Sequence, residues 1–389
     1  MLPRILFRLA LILAIVQVCA NLKAQMAQHR IPVYVNDGVF VADTNVAQVV
    51  KLYQDYLNSN PDSVYDNPYW NDAEKKRYGI FDLLNDGAPS PSLYIFARGY
   101  KPTILSVAQE EDHWRIRTMF AQQVDSSFCS PIAITDVIAK EQSGKLKLFN
   151  AITYNTETWQ RHKLGSINFV SSPGYHFDRR KAKKLLQFLD SLRAVWKLPE
   201  FDVDYYYANR CDEVEQARGL VYFMGYGNAD APSGRADPKN RIVFSGGLGE
   251  FFPHEFVHIY INPLYPNAHE YFLEGYATLL GGSHGASLPQ LLKNADRYLR
   301  GHPEFNIDSL FQKTDPAATL DYVTGTHYAF GGLFCKMAEE KGGLAAIKKL
   351  FSYPNTSDGL YQALYDTFAV KKEDVGKWVR EKVSEYAEK

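Results

Sequence analysis

The segment Phe251-Phe252-Pro253-His254-Glu255-Phe256-Val257-His258 sets two histidines four positions apart, with a glutamate directly after the first. On an α-helix, residues i and i+4 share one face and stand about 6 Å apart along the axis. Two imidazoles placed in this way can bind one zinc ion, and the glutamate between them comes within reach of a water on that ion. Phe256, Val257, Ile259 and Ile261 make the rest of the helix apolar, as suits the floor of a cleft. Pro253 is tolerated in the first turn, where its missing amide has no partner in any case, and Asn262-Pro263 marks the stop. The fold must therefore bury a helix that carries two histidines and an acid, and this needs a substantial core around it.

The chain is long enough for that. At roughly 150 residues per domain, its 389 residues suggest two domains. With 43 Lys+Arg against 44 Asp+Glu there is no net field to hold a polyanion, which excludes nucleic acid as the main partner and leaves a small molecule or a polypeptide.

A catalytic zinc takes three protein ligands and keeps one position open. Glu274, in Phe272-Leu273-Glu274-Gly275-Tyr276-Ala277, lies sixteen positions after His258, beyond the turn at Pro263 to Pro266. A second helix folding back would deliver it as the third ligand, and Gly275 and Ala277 leave room for two helices to approach. His269 and Glu270, near the start of that helix, compete for the role or support it from outside. His284, in Gly281-Gly282-Ser283-His284-Gly285, reads as a loop residue, and His327 is a further candidate.

H-E-x-x-H followed by E-G-x-A resembles the gluzincin metallopeptidases, the peptidase MA-like clan of thermolysin and aminopeptidase N, over residues 165–389. Metzincins would carry a glycine three positions and a histidine six positions after the second histidine, where this chain has Ile261 and Leu264. The resemblance implies one zinc per chain held by His254, His258 and Glu274, with Glu255 as general base in peptide hydrolysis. It also implies a later tyrosine or histidine that stabilises the oxyanion. Tyr328, in Tyr328-Ala329-Phe330-Gly331-Gly332-Leu333-Phe334 with Lys341-Gly342-Gly343 beyond, fits best, and Tyr322 and His327 are the alternatives.

Two departures qualify the resemblance. Gly225-Tyr226-Gly227-Asn228 lacks the acid with which aminopeptidase N-like enzymes bind the substrate amino terminus, so endopeptidase activity is favoured. Thr278 stands where thermolysin-like enzymes place the aspartate that orients a zinc histidine, so that support must come from elsewhere. Two rival readings use the same residues: a binding or scaffold protein that keeps its zinc, and a zinc hydrolase of a non-peptide amide or ester. An intact Glu255 argues against the first, because a purely structural site needs no general base.

Residues 1–24 have the form of a secretory signal: Arg4 and Arg8, an apolar block, then small residues ending at Ala24. Export to the periplasm or exterior is expected, and no later stretch has the ~18 apolar residues of a membrane span. Cys129, Cys211 and Cys335 remain at unpatterned spacing, which gives no disulfide framework and suggests three buried thiols.

The expected fold class is α+β. Residues 25–164 read as an accessory domain with a helix over 46–57 and hairpins around Glu110-Glu111-Asp112 and Ser143-Gly144-Lys145. Such an order is loosely similar to NTF2-like or cystatin-like domains. Residues 165–389 read as a zincin-type domain, a small mixed sheet followed by a mostly helical half. Its strands fall at 167–170, 201–208, 219–224 and 241–245, and its first long helix begins at Asp178 with the basic run 179–184 as a solvated face. Strand 241–245, just before the metal helix, is expected to pair with an extended substrate.

Overall fold

The computed structural model describes residues 32–59, 67–78, 99–223, 232–311, 318–321 and 324–389. The signal-like segment 1–24, Gly225-Tyr226-Gly227-Asn228 and Tyr322 lie outside the described residues. The fold is α+β, with two mixed sheets and a helical C-terminal half. The chain forms two compact units, residues 1–158 with 215–229, and 159–214 with 230–389.

In the first unit, helix α1 (Thr44–Leu57) starts at Asp43, whose carboxylate accepts from the Asn45 and Val46 amides. Its buried face is Val49, Val50, Tyr53, Tyr56 and Leu57. Short helices α2 (Asp72–Tyr78) and α3 (Ala151–Asn155) pack by the sheet. That sheet runs β1 (Tyr34–Val35), β2 (Lys101–Glu110), β3 (His113–Gln123), β4 (Cys129–Gln142), β5 (Lys145–Asn150), antiparallel except for the β1/β2 pair. Ser143 (φ 53) and Gly144 (φ 74) close the β4–β5 hairpin with the two left-handed residues that match the strand twist.

The strand expected at 219–224 belongs to this sheet. As β9 (Leu220–Phe223) it pairs with the first half of β4, whose second half is taken by β5. Gly219 (φ 97) makes the join, because a Cβ there would lie 2.6 Å from the Asp136 carbonyl oxygen. A single boundary near residue 165 misses this return of the chain to its first unit.

The second unit is built on a sheet of order β10-β11-β8-β7-β6: β6 (Gln160–Leu164), β7 (Ile167–Ser171), β8 (Val203–Ala208), β10 (Ser233–Asp237) and β11 (Ile242–Gly246). β7, β8 and β11 are parallel, and the outer strands β6 and β10 run antiparallel to their neighbours. β11 is the strand expected to receive substrate, and the structure corrects this: both its edges are used, by β8 and β10. Among the described residues the edge strands are β10 and β6, and β10 is the one beside the helix Pro253–Ile261. Ser-Gly-Arg-Ala-Asp has no apolar alternation, and it is held as a strand through its backbone.

Between β7 and β8 runs α4 (Arg179–Trp196), capped by Asp178 at the expected place. Ala182, Leu185, Leu189, Leu192 and Trp196 face inward, while Arg179, Arg180, Lys181, Lys183 and Lys184 are exposed. α5 (Cys211–Arg218) carries the chain back to the first unit. Then follow α6 (Pro253–Ile261), α7 (Glu270–Gly281), α8 (Leu288–Gly301), α9 (Ile307–Phe311), α10 (Thr326–Phe351), α11 (Ser357–Phe368) and α12 (Val375–Ala387). α10 is broken at Gly342 and Gly343, which leave helical geometry.

α4 fixes the helices behind the site, with Trp196 Nε1 donating to Tyr276 Oη at 2.9 Å and Arg193 to Tyr260 Oη at 3.5 Å. Cys211 and Cys335 are buried free thiols; Cys129, contrary to expectation, is exposed, because it begins β4 beyond the packed core. No helix among the described residues is long and apolar enough to cross a membrane.

Candidate metal centre

All nine residues of α6 are buried, and the helix ends at Asn262 in a short turn, Asn262–Leu264. His254 and His258 are 3% and 5% exposed, so their polar atoms need partners inside the protein. Each ring has one nitrogen committed. His254 Nδ1 donates to the Gly282 carbonyl oxygen at 2.6 Å, and His258 Nδ1 lies 3.2 Å from Asn262 Oδ1. These contacts turn both Nε2 atoms to one point and supply the orientation that Thr278 does not.

α7 brings Glu274 to the same point. Glu274 Oε2 lies 3.2 Å from His254 Nε2 and 3.3 Å from His258 Nε2, and the two Nε2 atoms are 3.2 Å apart. A near-equilateral triangle of this size is one face of a tetrahedron whose centre lies about 2.0 Å from every corner, the bond length of imidazole and carboxylate ligands to a zinc-sized ion. His254, His258 and Glu274 thus form a group that can hold a metal ion, with the fourth corner turned away from the donors. His269, Glu270, His284 and His327 are not in this group.

Without metal, the three groups perturb one another. Burial alone would lower the His258 imidazole, but the Glu274 carboxylate beside it lifts it to about 9. Burial alone would raise the Glu274 carboxyl, but His258 and His254 hold it well below the usual carboxylate range. Burial raises Glu255 above the ordinary carboxylate range, against the pull of His254 and His258.

Glu255 also touches the edge strand. A Cβ on Gly234 of β10 would run into the Phe252 ring and stand 2.9 Å from Glu255 Cγ. Only glycine lets the β10 backbone lie this close to α6.

Tyr328, in the first turns of α10, borders the centre, its ring 5.7 Å from that of His254 and inclined at 76°. Burial, then the Glu274 and Glu255 charges, raise its hydroxyl pKa, so it stays protonated as a donor through the neutral range. α7 and α10 come together where Gly275 meets Gly331 backbone to backbone. Gly275 therefore makes the close approach expected of it, with α10 as its partner. His327 packs on Tyr328, ring centroids 3.9 Å apart.

His269 is the N-cap of α7: its Nδ1 accepts from the Tyr271 amide at 3.2 Å, which requires an unprotonated nitrogen. Burial lowers its pKa to about 4. The unfolded chain takes up this proton near ~6.5, so stability is fully present above that value and is lost as pH falls toward 4, about 3 kcal/mol in all. The urea midpoint should drop across this window, and H269N, which keeps a cap acceptor without a titrating ring, should flatten the drop. An unchanged pH profile in H269N would contradict the assignment.

No protein-family model matches the chain, and no curated protein matches it.

Proposed function

We propose that the protein is an exported, zinc-dependent metallopeptidase of gluzincin type, acting as an endopeptidase. The observation that carries this reading is the triangle of His254, His258 and Glu274 donors, with Glu255 on the same helix and β10 against it. Two imidazoles and one carboxylate in a tetrahedral set with an open corner suit zinc, and six-oxygen ions such as magnesium would find too few oxygens. When bound, zinc supplies Lewis acidity, which brings the pKa of a water toward ~7 and polarises a carbonyl.

The remaining steps belong to this chain's own side chains. Glu255 takes a proton from the attacking water onto its carboxylate and returns it to the nitrogen of the leaving amine. Tyr328 Oη donates to the carbonyl oxygen as negative charge develops there. β10, last in its sheet among the described residues, would take an extended peptide backbone along its outer edge, and Gly234 keeps that strand close to Glu255. This peptide-sized edge favours peptides over small amides or esters, and the balanced charge of the chain speaks against nucleic acid.

The reading is tested by incubating the mature protein with a mixed peptide library, with and without chelator, and mapping the products by mass spectrometry. Internal cuts that vanish with chelator and return with zinc are expected. Stepwise loss of N-terminal residues would make the protein an aminopeptidase. No cuts from a zinc-loaded protein would overturn the peptidase reading in favour of a binding protein or a hydrolase of non-peptide substrates.

A further inference from the structure

Three parts of the site meet on one tight turn, 281–286. The Gly282 carbonyl accepts from His254 Nδ1, the His284 ring stands edge-on to that of Tyr328, and His284 Nδ1 donates to the Pro232 carbonyl oxygen at 3.0 Å. Pro232 is the residue immediately before β10. The centroids of the His284 and Tyr328 rings are 5.5 Å apart, with the planes at 73°.

The turn is well fixed. Ser283 and Ala286 exchange two backbone hydrogen bonds, of 2.9 and 2.8 Å, and Gly282 and Gly285 take left-handed conformations beside them. His284 itself has φ 49, a region that non-glycine residues enter at a cost. The turn itself sets this conformation, since a two-residue turn of this kind needs positive φ at both central positions, His284 and Gly285.

We propose that His284 is a positioning residue: it pins the leading end of β10 to the Tyr328 side of the metal centre. It thereby sets the spacing between a peptide backbone lying on β10 and the hydroxyl that meets the scissile carbonyl. The proposal rests on the peptidase reading, since only a substrate on β10 needs that spacing. A carbonyl can only accept, so Nδ1 carries the proton in both the neutral and the charged ring, and the anchor holds whichever form is present.

Two variants separate the anchor from the ring. Asparagine carries an amide nitrogen at the position of Nδ1 and tolerates a left-handed backbone, so H284N keeps the bond to Pro232 while losing the imidazole. H284A loses both. Amide hydrogen exchange over 233–237 is expected to speed up about fivefold in H284A, the worth of one exposed hydrogen bond, and to stay near wild type in H284N. Metal content should be unchanged in both, and the thermal midpoint of H284A should fall by no more than a few degrees. With peptides long enough to lie along β10, KM should rise about fivefold in H284A with kcat within about threefold, and H284N should restore it.

Unchanged exchange in H284A overturns the anchor, and so does H284N behaving like H284A. Faster exchange with unchanged KM leaves the anchor but overturns its role toward substrate. If the wild-type protein cuts no peptide, the peptidase reading fails and takes the substrate role with it, and the exchange result alone decides the anchor.

Discussion

Replacing Glu255 with glutamine should lower peptide hydrolysis by a factor of about 10³ while leaving the metal in place. The substitution keeps the shape of a side chain that is 8% exposed, so its packing beneath Gly234 of β10 is preserved. An amide oxygen cannot take up the proton of the attacking water at neutral pH, and the amide has none to return to the leaving nitrogen. The donor triangle involves His254, His258 and Glu274 alone, so metal content by elemental analysis should match wild type. Turnover of the zinc-loaded variant within tenfold of wild type would remove Glu255 from the mechanism. Loss of metal together with activity would point to a structural role instead.

The second large effect is expected far from any charge. A Cβ on Gly331 would collide with the Tyr271 carbonyl oxygen and come within 3.1 Å of the Gly275 Cα. These are backbone atoms of one helix, α7, and cannot turn aside as a side chain can. Gly331→Ala must therefore spread α7 from α10 and should cost 3 kcal/mol or more, at the upper end for overpacked cores. Glu274 adjoins Gly275, and Tyr328 lies one turn before Gly331, so the ligand and the hydroxyl move with the helices. Metal affinity should fall by about 10- to 100-fold, as when the support of a ligand is lost. Gly301→Ala is the control: it ends α8 with nothing within 4 Å of its added Cβ, and it should be neutral or slightly stabilising. Denaturant midpoints and metal titrations of the two variants make the comparison. Equal behaviour would mean that the crossing yields more easily than its geometry allows.

The parts of this site legible in the sequence are those that obey a helical period. His254, Glu255 and His258 declare themselves because four-residue spacing is a property of one helix, and Gly275 announces a close approach. Asp178 and Asp43 mark helix starts for the same local reason. What escaped was held by backbone. β10 has no apolar alternation and is a strand only because β11 lies beside it. The orientation of His254 comes from the Gly282 carbonyl, an atom every residue possesses, so its identity is set by the fold and no residue type signals it. The signal that was present is Gly-Gly-Ser-His-Gly, whose glycines mark a tight turn without saying what the turn faces. Cys129 was misjudged because composition alone does not tell the end of a long strand from its middle.

The return of β9 to the first sheet makes the order of synthesis differ from the order of assembly. At residue 158 the first unit has, among the described residues, three helices and five strands, but half of one edge of β4 stays open until residue 223 has been made. By then β6, β7, α4 and β8 of the second unit already exist. The segments of the two units thus alternate along the chain. No single cut frees the unit that carries the candidate metal centre intact, for a fragment beginning at 165 carries β9 without its partner, and a fragment ending there leaves β4 an exposed edge on which a second chain can add. Inheritance is bound by the same geometry: the two units can be exchanged between genes only as one piece.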